Sequence, residues 1–447
     1  MKKKLRIRFT HTQIIALGFL IVILMGTLLL MLPVASRDGR STPFFDCLFT
    51  STSAACVTGL IITDTASHWS VFGQIVILVL IQIGGLGFMT LITFFFMLMR
   101  RRVGLQERQI MTESINASNI GEILGLTKVI LIGTVIFELS GAALLAIRFI
   151  PRFGVLKGIW FSIFHAVSAF CNAGFDIMGS GGNSVSLTEY AADPLVNIVV
   201  MVLIIVGGLG FLVWDDLRKH KFRWKRYRLQ TKCVLFMTAV LVLGGAILYF
   251  IFERNATGAG RPLGERVLTA FFSSVTARTA GFNTTDTASL SGPSTVLSYI
   301  LMFIGGNSGS TAGGVKTTSV LVVLVFAICG IRREHGANIF GRRLNEDSLR
   351  QAVYIIAANL SAAILATLVI GAIQDFPVDQ LLFETFSAIG TVGISAGITS
   401  SLNLGSRLVI ILLMYMGRVG SISFGLALLE KKARPAVTYP TESVIVG

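Results

Sequence analysis

Four short stretches of this chain carry residues suited to holding a bare cation: "VTG" (Val57, Thr58, Gly59), "NAG" (Asn172, Ala173, Gly174), "TAG" (Thr279, Ala280, Gly281) and "TVG" (Thr391, Val392, Gly393). Glycine reaches positive φ and has no Cβ, so the carbonyls beside it can turn toward an axis while backbones approach closely. A ring of carbonyl oxygens replaces the hydration shell of a monovalent cation, and "TVG" is part of the potassium-channel filter sequence. One such glycine would more often only end a short helix. Here four recur 115, 107 and 112 residues apart, each ten residues after a phenylalanine (Phe49, Phe164, Phe271, Phe383) and one before a large apolar residue (Leu60, Phe175, Phe282, Ile394). The pentapeptide "TDTAS" also follows the first and third glycines at one offset, from Thr63 and from Thr285. Four matches in register make an internal repeat the organising fact of the chain.

A second stretch, "IGGNSGSTAGGVKTTS" from Ile304 to Ser319, first suggests a phosphate-cradling loop. The spacing fails: counted from Gly309, Gly314 falls correctly, but Val315 separates it from Lys316, where the motif places lysine directly after glycine. The residues Gly305, Gly306, Asn307, Ser308, Gly309, Ser310, Thr311, Ala312, Gly313 and Gly314 include five glycines, and each mid-helix glycine costs about 1 kcal/mol relative to alanine. They should break the apolar run in which they sit. A Gly-rich helix packed on a neighbour is the competing reading. The same depth of the fourth unit reads "MYMGRVGSISFG", which puts Arg418 inside a span, where charges are costly and face internal cavities. Its guanidinium could bind loop carbonyls and repel cations, or pair with Glu138, the acid within the third apolar run. Lys316 is read as capping the loop.

Other chemistry finds little support. The five cysteines show no CxxC and the five histidines no ligand spacing, so neither a disulfide framework nor a zinc site is indicated. A multi-pass membrane enzyme would need nucleophile and base pairs, a metal motif or paired acids in its spans, and only Glu138 and Arg418 stand out as midspan charges. Asp64, Asp176 and Asp286 follow the turn glycines by five, two and five residues. Together at a mouth they would concentrate cations; singly each has the habits of a turn or cap residue.

The elements that must position these residues are membrane spans. Of 447 residues, 53% are hydrophobic and 14% charged, against about 25% charged in soluble chains, and mean hydropathy is +0.77. Apolar runs long enough to cross a hydrocarbon core of about 30 Å occur at Ile14 to Leu32, Phe72 to Met99, Thr127 to Ile147, Leu195 to Trp214, Val234 to Phe252, Val353 to Ile373 and Leu408 to Leu429. The interrupted run around Ile304 makes eight. The net charge of +15 does not indicate nucleic acid, because 23 of the 38 Lys and Arg lie in clusters between these runs, starting at Lys2, Arg100, Arg218, Arg332 and Lys431. The positive-inside rule puts all five on the cytoplasmic side, with both termini there. The fold expected is all-α and polytopic: four units of span, re-entrant pore helix, polar turn and span, giving eight transmembrane helices and four pore helices around a pseudo-fourfold pore. Irregular backbone at membrane depth must be buried in protein or line water, and a shared axis provides that. Boundaries fall at 1–12 for a basic N-terminus, 13–100, 101–217, 218–333 and 334–430 for the units, and 431–447 for a C-terminal tail.

These four glycine-bearing loops resemble those of the Trk, Ktr and HKT superfamily of potassium transporters, most nearly the bacterial Ktr type of membrane subunit, KtrB, from about Thr10 to about Glu430. The resemblance implies potassium uptake across the cell membrane, sodium-dependent, with potassium (and sodium as a second candidate ion) held at the twelve turn residues named above. Glycine in all four loops resembles the potassium-selective members; sodium-favouring relatives replace the first with serine. Resemblance also makes 305–314 an intramembrane gate, with Lys316 and Arg418 beside it, and implies a homodimer. It further implies a cytoplasmic RCK-type, KtrA-like ring binding ATP, ADP or NADH, since this chain shows no nucleotide site of its own. The loops differ in their flanks: Arg278 stands three residues before Gly281, where the others have Cys56, Cys171 and Gly390. Unequal quarters suggest one dominant ion site. Anionic lipid is the expected partner of the clustered basic charges.

Overall fold

A computed structural model describes residues 11–87, 123–179, 186–221, 223–333 and 336–420. The basic clusters at Lys2, Arg100 and Lys431, the end of the second apolar run and the last run beyond Gly420 lie outside them. The first unit comprises α1 (His11–Leu30), α2 (Phe44–Ala55), a single turn α3 (Thr65–His68) and α4 (Val71–Leu86). The second has α5 (Ile123–Phe153), α6 (Val155–Phe170), α7 (Pro194–Leu209) and α8 (Phe211–His220). The third has α9 (Leu229–Phe252), α10 (Leu263–Thr276), α11 (Gly292–Phe303) and α12 (Thr317–Ile331); a small hairpin, β1 (Asn338–Ile339) with β2 (Arg342–Arg343), precedes the fourth. The fourth has α13 (Glu346–Ile373), α14 (Val378–Gly390) and α15 (Leu404–Val419).

Local chemistry sets these ends. Pro43, Pro262 and Pro377 stand at the N-caps of α2, α10 and α14; proline disfavours helical backbone in the residue before it and so separates each pore helix from the span before. The second spans open on polar caps: Ser70 Oγ accepts from Gly73 N–H at 3.3 Å, Asp193 from Leu195 and Val196 N–H at 2.9 and 3.3 Å, and Asn403 from Ser406 N–H at 2.9 Å. Such caps satisfy the orphan donors of a helix start.

The first span of each unit is a single helix long and apolar enough to cross a bilayer, whereas the second span behaves differently. The apolar runs at Phe72 to Met99 and Leu195 to Trp214 predict continuous spans, with only the third unit broken. Instead α7 and α8 meet at 94°, with Gly210 between them at φ +99°. Likewise α4 ends at Gly87 (φ +79°) and α15 at Gly420 (φ +93°). Among the described residues a helix therefore ends at a matched glycine in the first, second and fourth units, and in the third the helices are separated by the 13 residues between Phe303 and Thr317. The cause is positional: Gly87, Gly210 and Gly420 all stand three residues after another glycine (Gly84, Gly207, Gly417), and only glycine enters that φ region without cost.

The units assemble by one rule. Each second span packs on the pore helix of the next unit: α4 on α6, α7 on α10, α11 on α14, and α15 back on α2. An ion pair closes the ring, Arg407 Nη1 to Asp46 Oδ1 at 2.7 Å, joining α15 to α2. The pore helices end in the core, where Phe49, Phe164 and Phe383 are almost wholly buried, while Phe271 is half-buried. Trp224 and Phe340, whose ring centroids are 6.1 Å apart, bring the third and fourth basic clusters to the same end of the molecule.

Candidate ion pathway

The four glycine turns meet. In each, the residue two before the glycine has positive φ (Val57 +56°, Asn172 +58°, Thr279 +68°, Thr391 +51°) and so does the glycine (Gly59 +93°, Gly174 +68°, Gly281 +83°, Gly393 +90°), with a residue of ordinary φ between. Alternating handedness turns successive peptide planes the same way, so that neighbouring carbonyls share a side. A non-glycine residue held left-handed costs roughly 1–2 kcal/mol, so four in register represent strain that the surroundings hold in place.

The turns also form a closed cycle. A Cβ added to Gly59 would lie 2.5 Å from Ala173 O, one on Gly174 2.7 Å from Ala280 O, and one on Gly281 2.7 Å from Val392 O. One on Gly393 would overlap Thr58 O. Each glycine thus faces the preceding-residue carbonyl of the next unit, in the order one, two, three, four and back to one. Pore-helix hydroxyls pin these turns: Ser53 Oγ accepts from Gly59 N–H at 3.0 Å and Ser387 Oγ from Gly393 N–H at 3.1 Å. In the second unit Ser168 Oγ donates to Phe175 O at 2.7 Å. The third departs: Val275 occupies the serine position, and Thr276, one residue on, donates to Phe282 O at 2.6 Å. Arg278 in that quarter is buried, and its Nε has no hydrogen-bond partner among the described residues.

Beneath the ring, residues 304–316 run without helix and cross the molecule. On the second unit, Asn307 and Thr311 N–H donate to Gly208 O and Gly207 O at 3.2 and 3.3 Å, and Phe211 N–H returns to Gly309 O at 2.8 Å. On the fourth, Gly314 N–H donates to Gly417 O at 3.3 Å, while the Cα of Gly313 abuts Thr391. Lys316 Nζ donates to Ala312 O at 2.8 Å, inside the segment. Arg418 reaches both the segment and the first unit: its guanidinium donates to Thr311 O, to Gly84 O and, at 3.2 Å, to Gly85 O. Arg418 occupies in its unit the place of Gly85 and Gly208, directly after the glycine that nests on a pore-helix carbonyl (Gly84 on Ala55 O, Gly207 on Phe170 O, Gly417 on Ile389 O). It makes no pair with Glu138, whose Oε1 accepts from Gln82 Nε2 at 3.0 Å.

Some participants escaped the sequence reading. Ser53 and Ser387 stand six residues before their glycines and could have been found by extending the repeat alignment; the carbonyl partners of Arg418 could not, since backbone oxygens carry no sequence signal. Asp64 and Asp286 cap short helical turns, through Ser67 N–H at 2.8 Å and Ala288 N–H at 3.0 Å. Asp176 is instead buried, accepting from Met178 N–H at 3.1 Å.

Four matched pore helices, a cyclic ring of glycine turns and broken inner spans define a multi-pass membrane cation transporter. The chain belongs to the TrkH family of cation transport proteins, whose model matches residues 2–433. It is 42% identical over 454 residues to the potassium/sodium uptake protein NtpJ of Enterococcus hirae, covering 100% of this chain and 99% of that one. It is 38% identical to the Ktr system potassium uptake protein B of Bacillus subtilis, covering 99% and 98%. The potassium transporter TrkH of Vibrio parahaemolyticus has the same fold, with a TM-score of 0.74 over 96% of this chain and 87% of that one at 17% identity. The chain is a transporter and not an enzyme.

Proposed function

We infer that this protein takes up potassium across the cell membrane through the ring of Gly59, Gly174, Gly281 and Gly393, as the translocating subunit of a Ktr-type system. The observation that carries this is the cyclic approach of each glycine to the next unit's carbonyl, with the backbone at −2 and 0 left-handed in all four turns. Carbonyls so directed replace water around a monovalent cation. Val57, Thr58, Asn172, Ala173, Thr279, Ala280, Thr391 and Val392 supply the remainder of that filter. Residues 305–314 are its gate, tied shut by Lys316 and by Arg418, which sets a positive charge beneath the filter in a medium that screens it poorly. On this reading both termini and the basic clusters face the cytoplasm, where the inner spans break. A homodimer of such chains and a nucleotide-binding regulatory ring complete the system on this reading; the names of the Ktr relatives support its potassium uptake.

A second reading has support of its own: the relative at 42% identity is named for sodium as well as potassium, so sodium passes through, or drives, the same pore. Uptake of rubidium-86 into proteoliposomes, with and without sodium, tests both. Rubidium entry that potassium outcompetes and sodium stimulates supports the potassium system, whereas sodium-22 entry indifferent to potassium would replace it with a sodium conductor.

A further inference from the structure

Just past the ring, on the side away from the 304–316 segment, the first and second units bring two acids together that the fold does not neutralise. Asp64 is 9% exposed and Asp176 5%. Asp64 spends one oxygen, Oδ2, on the Ser67 N–H of the turn it caps. Its other oxygen, Oδ1, is shielded from solvent and has no hydrogen-bond partner among the described residues. Asp176, two residues beyond Gly174, uses Oδ1 on Met178 N–H at 3.1 Å. Asp176 stands three residues before Gly179 on the same segment. Gly179, on the strand that follows Asp176, passes so close to the Asp64 carboxylate that a Cβ there would overlap it. The second unit's outer strand is therefore built against the first unit's acid, and neither acid forms an ion pair with a described residue.

A buried carboxylate without a partner is strongly unfavourable, and a like charge beside it compounds the cost. We propose that Asp64 and Asp176 form an alkali-cation site at the seam between the first and second units, outside the filter, with Asp64 Oδ1 as the ligand left open. The site would hold a monovalent cation taken from the external solution before it enters the ring. No third acid, histidine or cysteine joins the pair among the described residues. The proposal rests on the ring being the ion path, which places Asp64 and Asp176 on its external side.

The experiment uses full-length protein in proteoliposomes, with the wild type, Asp64→Asn and Asp176→Asn. Asparagine keeps the shape of the side chain and, at Asp64, the ability to cap, since Asn and Asp are near-equal N-caps. Rubidium-86 uptake is measured against external rubidium at low ionic strength and again with 0.3 M choline chloride. The half-saturating concentration is expected to rise about tenfold in each variant, as for loss of one charged ligand, and the rise should persist in choline chloride. A rise that choline chloride erases, or no rise, overturns the site, because a diffuse field is screened within about 8–10 Å at such salt. Melting midpoints in detergent supply a readout free of transport: sodium or potassium chloride, compared with choline chloride at equal ionic strength, should raise that of the wild type more than that of Asp64→Asn. Equal shifts, or a larger wild-type shift with calcium than with either alkali ion, overturn the proposal. Failure of the filter reading would show separately, as unchanged ion preference in Gly59→Ser.

Discussion

Gly59→Ser tests the ring directly. Gly59 has φ +93°, and a Cβ on it would lie 2.5 Å from Ala173 O and 3.2 Å from the Cα of Gly174. The first of these is closer than carbon and oxygen can stand, and the obstacle is backbone, so the strand must move. Holding a non-glycine residue left-handed costs roughly 1–2 kcal/mol. If relief of that strain displaces Ala173 O from the ring, the loss falls on the ion that fits the ring best, and at 1.4 kcal/mol per factor of ten the potassium preference over sodium should fall roughly 5- to 30-fold. Gly39 provides the control: it too has positive φ, +65°, but nothing lies within 4 Å of an added Cβ. Gly39→Ser should therefore lose comparable stability and leave ion preference unchanged. The assay is dual-label uptake of rubidium-86 and sodium-22 by liposomes at matched protein density. Wild-type preference in Gly59→Ser, or an equal fall in Gly39→Ser, would refute the reasoning.

Deleting Ser308 to Ser310 from the crossing segment should raise the uptake rate while ion preference holds, because the ring does not depend on those residues; a lower rate or lost preference would make the segment structural. Arg418→Gln should act in the same direction, by roughly tenfold or more, since charge-assisted hydrogen bonds contribute about 1.5–3 kcal/mol each and the barrier charge is also removed; initial rates of rubidium-86 uptake report it. Ser53→Ala and Ser387→Ala should each leave a ring N–H unsatisfied, at about 1–3 kcal/mol, and lower potassium preference several-fold in the dual-label assay, whereas Val275→Ala, in the quarter that lacks this contact, should not. Gly210→Ala, at φ +99° with Ser308 O 2.8 Å from an added Cβ, should lower the melting midpoint and raise the basal rate by loosening the α7–α8 corner against the segment.

Much of this protein was legible in its sequence. Apolar runs of membrane length, basic clusters between them and a fourfold spacing of glycine under phenylalanine are local or periodic properties, and they specify a polytopic helical fold with four pore turns without reference to any contact. The Gly-rich composition of 305–314 likewise weighs against helix by summed propensity, and α11 ends at Phe303. What composition could not decide is which glycines break a helix. Gly84 and Gly87 lie in one short motif, yet Gly84 stays helical on Ala55 O and Gly87 turns at φ +79°; Gly207 and Gly210 divide in the same way. The difference comes from the neighbouring pore helix, whose C-terminal carbonyl excludes a side chain at one position while the chain must turn at the other. The order of the ring, the closure of the fourth unit on the first through Arg407 and Asp46, and the choice of Arg418 for the carbonyls of Gly84, Gly85 and Thr311 over Glu138 are likewise tertiary. They join residues up to 361 positions apart; the ring contacts and those of Arg418 run through backbone oxygens that every residue type carries alike, and only the packed fold distinguishes one carbonyl from another.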